Sequence, residues 1–81
     1  MAWYIYILKS EVDGDLYKGI SEDILHRLEE HNLGKSRFTS TKRPWKLVFQ
    51  KEMPSKLDAL IEERRIKKLN RKSLIKLIYE N

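Results

Sequence analysis

The chain has no cysteine, only two prolines and three glycines, and no long apolar run. Without thiols it can build neither a disulfide framework nor a thiolate-based zinc site, and it has no cysteine nucleophile, so its stability must come from packing. No stretch is long and apolar enough to span a bilayer and none reads as a signal peptide, which leads us to expect a soluble, cytoplasmic protein with no membrane partner. The 41% hydrophobic content is that of a globular chain rather than a disordered one. No repeat, linker or low-complexity tract interrupts it. A chain of 81 residues is expected to form a single domain, 1–81, with a core so small that any site must be built on the elements that also hold the fold.

Acidic residues are scarce in one half. Residues 1–40 carry 5 Lys/Arg against 7 Asp/Glu, whereas residues 41–81 carry 12 against 5, so the net charge of +5 is concentrated in the second half. A polyanionic partner is the natural inference, set against the plainer reading of solvated lysine-rich helix faces.

The local pattern predicts the order β-β-α-β-α-α. Trp3 to Lys9 is an aromatic and β-branched run, Val12-Asp13-Gly14-Asp15 supplies an Asp-Gly turn, and Leu16 to Ile20 returns as an antiparallel partner. Ser21 serves as an N-cap for a helix over about 22–33 with an apolar stripe of Ile24, Leu25 and Leu28, stopped at Gly34. A polar, basic stretch follows, and Trp45 to Glu52 reads as a third strand. Pro54-Ser55 opens a second helix, with Asp58 as a variant capping box, which runs to about Leu69. Asn70 interrupts, and Ser73 to Ile78 forms a short terminal helix. The expected class is α/β, more narrowly α+β: a small three-stranded, antiparallel-leaning sheet flanked by helices.

Several polar residues stand out on those elements. Arg27 and His31 are four apart, so they share a helix face, with His31 at the edge of the apolar stripe. On the second helix Glu63 has Ala59, Leu60 and Ile66 as its i−4, i−3 and i+3 neighbours, whereas Glu62 has the charged Asp58 and Arg65. Glu63 is therefore expected on the buried face, where a carboxylate is costly unless it is paired or holds a cation. An ion pair with Arg27 or Lys67 is the structural alternative to a metal ligand. Tyr6 and Tyr17 fit a pleated, half-buried sheet on packing grounds alone, but with a guanidinium and an imidazole close by they also suit phosphate chemistry.

Taken together, Tyr4-Ile5-Tyr6, Tyr17-Lys18-Gly19, Arg27, His31, the Lys35-Ser36-Arg37-Phe38-Thr39 run, Arg43 to Val48, and Glu63 in Ala59-Leu60-Ile61-Glu62-Glu63 resemble the GIY-YIG nuclease superfamily. The resemblance is to its small standalone bacterial branch, itself similar to the N-terminal nuclease domain of the excision-repair endonuclease subunit, and extends from about Trp3 to Leu77. Tyr4 stands for the first motif's glycine, Lys18 for the second motif's isoleucine, and Ile20 where the excision-repair branch has a lysine. Tyr4 is set aside as a packing residue, on the opposite alternation or in the glycine's place.

The resemblance implies a divalent-metal-dependent endonuclease hydrolysing DNA phosphodiester bonds. In that scheme Glu63 holds Mg²⁺ or Mn²⁺, Arg27 pairs with phosphate oxygens, His31 orients the site or relays a proton, and Tyr6 and Tyr17 position the attacking water, the base between them left open. Lys35, Arg37, Lys42, Arg43 and Lys46 are the expected phosphate contacts, with Phe38 or Trp45 available to stack on a base and Trp45 also suited to anchoring the third strand. The implied partner is DNA, branched or single-stranded, cut with little sequence preference or on recruitment by a protein partner. Two other readings are a catalytically decayed nucleic-acid-binding module and a protein-interaction domain whose charge is incidental.

Overall fold

The computed structural model describes residues 2–80. Its elements are β1 (Trp3–Ser10), β2 (Leu16–Ser21), α1 (Ile24–Asn32), β3 (Trp45–Met53), α2 (Lys56–Lys67) and α3 (Arg71–Glu80), with one 3₁₀ turn at Ser40–Lys42. The sheet order is β2-β1-β3 and both pairings are antiparallel. The expected element order and the α+β class are therefore observed.

β1 is central because it alone is apolar on both faces: Ile5, Tyr6, Ile7 and Leu8 are all buried. Its odd residues, Ile5 and Ile7, pack with Phe49, with Ile66 of α2 and with Leu74 of α3. Its even residues, Tyr6 and Leu8, pack with Ile24 of α1 and with Trp45. The sheet thus lies between α1 on one face and α2 with α3 on the other, as period-two alternation of a doubly covered strand requires. A bulge between Ile7 and Leu8 sets Ile7 opposite Phe49 and Leu8 opposite Leu47, and the extra residue, Val48, lets Trp45 and Phe49 serve opposite layers.

The ends of the helices show where local chemistry decided. Ser21 is the last residue of β2, paired with Tyr4, so the N-cap of α1 falls to Asp23, whose carboxylate accepts from the His26 amide at 3.1 Å. The expected Ser21 cap is two residues too early, because continued pairing with β1 holds Ser21 in extended geometry. Gly34, at φ 79°, ends α1: its amide donates to the His31 carbonyl and the Lys35 amide to the Glu30 carbonyl, both at 3.1 Å. Ser55 caps α2 through the Asp58 amide at 3.1 Å, as expected. Asn70, read as an interruption, caps α3 by accepting from the Ser73 amide at 2.9 Å.

Candidate active site

Tyr6 sits directly opposite Gly19 across the β1–β2 ladder. Its ring lies over the glycine so closely that a Cβ there would stand 2.6 Å from the Tyr6 hydroxyl and 2.8 Å from Cζ. Gly19 is needed for that approach, not for an unusual backbone angle. Tyr17, two residues earlier on the same strand, shares the face by alternation, with its ring 6.4 Å from that of Tyr6. Lys18 stands opposite Ile7 and so faces the other layer. Tyr4 lies on the same face as Tyr6, packed against the α1 cluster and donating to Glu52 at 3.4 Å. It is a packing residue as expected, but not on the opposite alternation.

α1 closes the site from above. His31, expected at the rim of the apolar stripe, is wholly buried, 4.8 Å from Tyr17 between ring centres in an edge-on arrangement. Its Nε2 is 3.3 Å from the Tyr6 hydroxyl and its Nδ1 2.7 Å from Thr39 Oγ1. The Thr39 hydroxyl also lies 3.5 Å from the Ser36 carbonyl; when it donates there, its oxygen is free to accept from Nδ1–H. Nε2 is then the acceptor for the Tyr6 phenol. Arg27 lies one turn before His31, half-exposed, with Nη1 donating to Glu30 at 3.3 Å.

The electrostatics follow from this enclosure. Burial pushes the Tyr6 phenol up to about 12, the adjacent Tyr17 adds to the rise, the Arg27 guanidinium opposes it, and the Glu63 carboxylate adds a weaker push upward. Burial, then the Arg27 cation, hold the His31 imidazole below its ordinary value, with Glu30 opposing. Near neutral pH the pair is a protonated phenol facing a neutral imidazole. In that arrangement Tyr6 can pass its proton to His31 only as it takes another from a hydrogen-bonded donor, so that no free phenolate forms.

Glu63 comes from α2, in the other layer. Its half-buried carboxylate is 3.6 Å from Lys67 one turn on, the structural ion pair that the sequence left open. Leu60, expected to share its buried side, is exposed, whereas Ala59 and Ile66 are buried. Glu62 is as enclosed as Glu63 but more fully paired, with Arg65 at 2.6 Å and Lys51 at 3.3 Å; Arg65 above all holds its carboxyl below the usual range. Among the described residues no three His, Cys, Asp or Glu side chains converge on a metal position. A cation here would have one carboxylate and leave its other positions to water and phosphate, which suits a hard ion that keeps its hydration.

The basic residues divide. Lys35, Arg37 and Arg43 are exposed beyond the end of α1, with the Arg43 guanidinium lying over Gly34. Lys42 is tied to the hairpin, its ammonium bridging Asp13 at 3.0 Å and also Asp15. Lys46 stands opposite Lys9 and faces the α3 layer. Phe38 is 85% exposed, whereas Trp45 is buried, its indole donating to the Thr39 carbonyl at 2.9 Å. Asn32 fixes the same residue from α1, accepting from the Trp45 amide at 2.6 Å and donating to its carbonyl at 3.1 Å. Asn32 was not singled out by the sequence, and Thr39 entered only as the end of the run from Lys35, with no role of its own. Neither belongs to a helical or strand period that includes Tyr6, and only the path of the loop brings Thr39 to His31.

Residues 2–76 match the family model described as the GIY-YIG catalytic domain. A UPF0213 protein of Staphylococcus saprophyticus is 42% identical over 78 residues, spanning 95% of this chain and 94% of the relative, and one from Staphylococcus aureus is 38% identical over the same span. The solution NMR structure of the UPF0213 protein BH0048 from Bacillus halodurans is similar in fold, with a TM-score of 0.65 and 33% identity, covering all of this chain and 86% of that one. The chain belongs to the GIY-YIG family, and Tyr6, Tyr17 and Gly19 lie within the span that matches its catalytic domain.

Proposed function

We propose that this protein is a divalent-metal-dependent endonuclease that hydrolyses DNA phosphodiester bonds with little sequence preference, or in response to DNA structure. The observation that carries the proposal is the buried chain from the Tyr6 hydroxyl through His31 to Thr39, set beside Tyr17 and Arg27. A purely structural hairpin would not need an imidazole held neutral with its free lone pair aimed at a phenol.

In this reading water is the nucleophile and Tyr17 helps to orient it. Tyr6 accepts the water proton as its own passes to His31 Nε2, so no step depends on a phenol whose proton affinity is raised to about 12 ionising unaided. The resulting imidazolium is held by the Nδ1 bond to Thr39. Arg27 pairs with the non-bridging oxygens as their charge grows. Glu63 would hold a divalent cation, Mg²⁺ or Mn²⁺, which when bound would supply stabilisation of the charge that develops on the phosphate. Lys35, Arg37 and Arg43 contact neighbouring phosphates. Lys42 is already neutralised by two carboxylates.

The test is nicking of plasmid, branched and single-stranded DNA with and without Mg²⁺ or Mn²⁺. Glu63→Gln and Tyr17→Phe should each slow cleavage by roughly 10²-fold or more while retaining the fold. Equal cleavage by both variants would assign the activity elsewhere, and binding without cleavage under every metal condition would leave a binding module.

A further inference from the structure

On the face of the sheet away from Tyr6 and His31, an open groove of ≈ 650 Å³ runs between the hairpin, the start of β3 and α3. Its floor is apolar, formed by Leu16, Val48 and Ile78. These side chains flank the α2–α3 core without being sealed by it. Tyr79, 82% exposed, forms one wall, and Lys9, Lys46 and Arg71 rim the opening.

The cations are arranged against their own repulsion. Lys9 and Lys46 are direct cross-strand partners, a placement in which like charges destabilise a sheet. A Cβ on Gly14 would lie 3.6 Å from Arg71 Nη2 and 3.8 Å from Lys9 Cε, so the third cation meets the first over the hairpin turn. Arg71 is fixed there by donating to the Gly14 carbonyl at 3.2 Å, a bond that positions the guanidinium without neutralising it. Glu11 is the one acid in the lining, and among the described residues no salt bridge neutralises Lys9, Lys46 or Arg71. Lys42, by contrast, lies near the same hairpin and has two carboxylates.

We propose that this groove binds a nucleotide, its base against Tyr79 and the apolar floor and its phosphate between Lys9, Lys46 and Arg71. The chemistry required is a flat, largely apolar ring carrying an anion. The exposed phenol offers a stacking face that every base can use, and three unneutralised cations offer the charge. The nucleotide is either free or one unit of a single strand. The groove is on the opposite face of the sheet from Tyr6, Tyr17 and His31 and shares no lining residue with the candidate active site, so its occupancy does not depend on cleavage.

The experiment is a titration of the ¹⁵N-labelled full chain with a mononucleoside monophosphate, with a short oligothymidylate and with an acidic peptide, followed by NMR shifts and by fluorescence anisotropy. Shifts centred on Leu16, Val48 and Ile78 with either nucleotide probe support the groove. The mononucleotide alone sufficing identifies a free ligand, and a need for the oligonucleotide identifies a strand. Tyr79→Ala, which alters an exposed side chain, should weaken that binding about tenfold or more, and Lys9→Ala should reduce the steepness of the oligonucleotide's log–log salt dependence by roughly 0.7. The proposal is overturned if nucleotide probes shift only the Tyr6 face or nothing, if Tyr79→Ala binds as wild type does, or if the acidic peptide binds the groove as tightly as the nucleotides. Failure to cleave DNA while the groove binds would refute the nuclease reading alone.

Discussion

Gly19→Ala is the substitution that most directly tests how this site is built. The added methyl would stand 2.6 Å from the Tyr6 hydroxyl and 2.8 Å from Cζ, where non-bonded carbons prefer roughly 3.5–4.0 Å. The Tyr6 ring would have to retreat by about 1 Å, and at 1% exposure it has no solvent to retreat into. The movement would also strain its 3.3 Å contact with His31. Overpacking of this kind costs ~1–3 kcal/mol, offset by ~0.5–1 kcal/mol because alanine suits a strand better than glycine. With overpacking in the upper half of that range because the ring has nowhere to go, the expected net loss is ~1–2.5 kcal/mol, which for a domain of this size lowers Tm by roughly 4–20 °C. Urea unfolding at constant m measures it. In a Tyr6→Leu background the clash is gone, and Gly19→Ala should become neutral or stabilising. The same loss in both backgrounds, or none in the wild type, would show that the glycine is not there to admit Tyr6.

Two further predictions follow from His31. Thr39→Val keeps the shape but leaves the buried Nδ1–H without its acceptor, so it should cost ~1–3 kcal/mol and slow cleavage. Thr39→Ser should restore both, and a valine variant as stable as wild type would sink the assignment. Because the folded His31 value lies below its ordinary 6.5, the unfolded chain binds the proton first as pH falls. The stability His31 contributes is therefore complete above about pH 6.5 and is lost progressively below it. Cleavage should fall only at the acid end of that window, as pH passes the depressed folded value, since a protonated His31 cannot accept from Tyr6. A His31→Asn variant should flatten the stability profile below about pH 6.5, and an unchanged slope would place the titrating group elsewhere.

The elements were legible because their determinants are local. The Asp13-Gly14 turn, the Ser55 cap with Asp58 and the stop at Gly34 each act within a few residues, and each is observed. Where a long-range partner competes, local reading errs: Ser21 is drawn into β2 by Tyr4, so the cap passes to Asp23. Leu60 misled for a related reason. α2 carries apolar residues on more than one side, and only contact with the sheet selects Ala59 and Ile66 for burial.

By itself the sequence determined the order of elements, the family and the set of residues from which a site can be made, since alternation along a strand and spacing along a helix follow from backbone geometry. It also put Arg27 and His31 on one helix face, whereas Tyr6 and Tyr17 share a sheet face only through the β1–β2 register. Tertiary structure decided what those groups are to one another. Gly19 makes room for Tyr6 only because the β1–β2 register sets them opposite. Thr39 meets His31 Nδ1 only because the loop returns beneath α1. The basic residues, uniform in a list of charges, separate into three exposed cations near the site, one bound by carboxylates and one on the far groove. Charge and residue type are written in the chain, whereas pairing, burial and proton affinity exist only once distant segments meet.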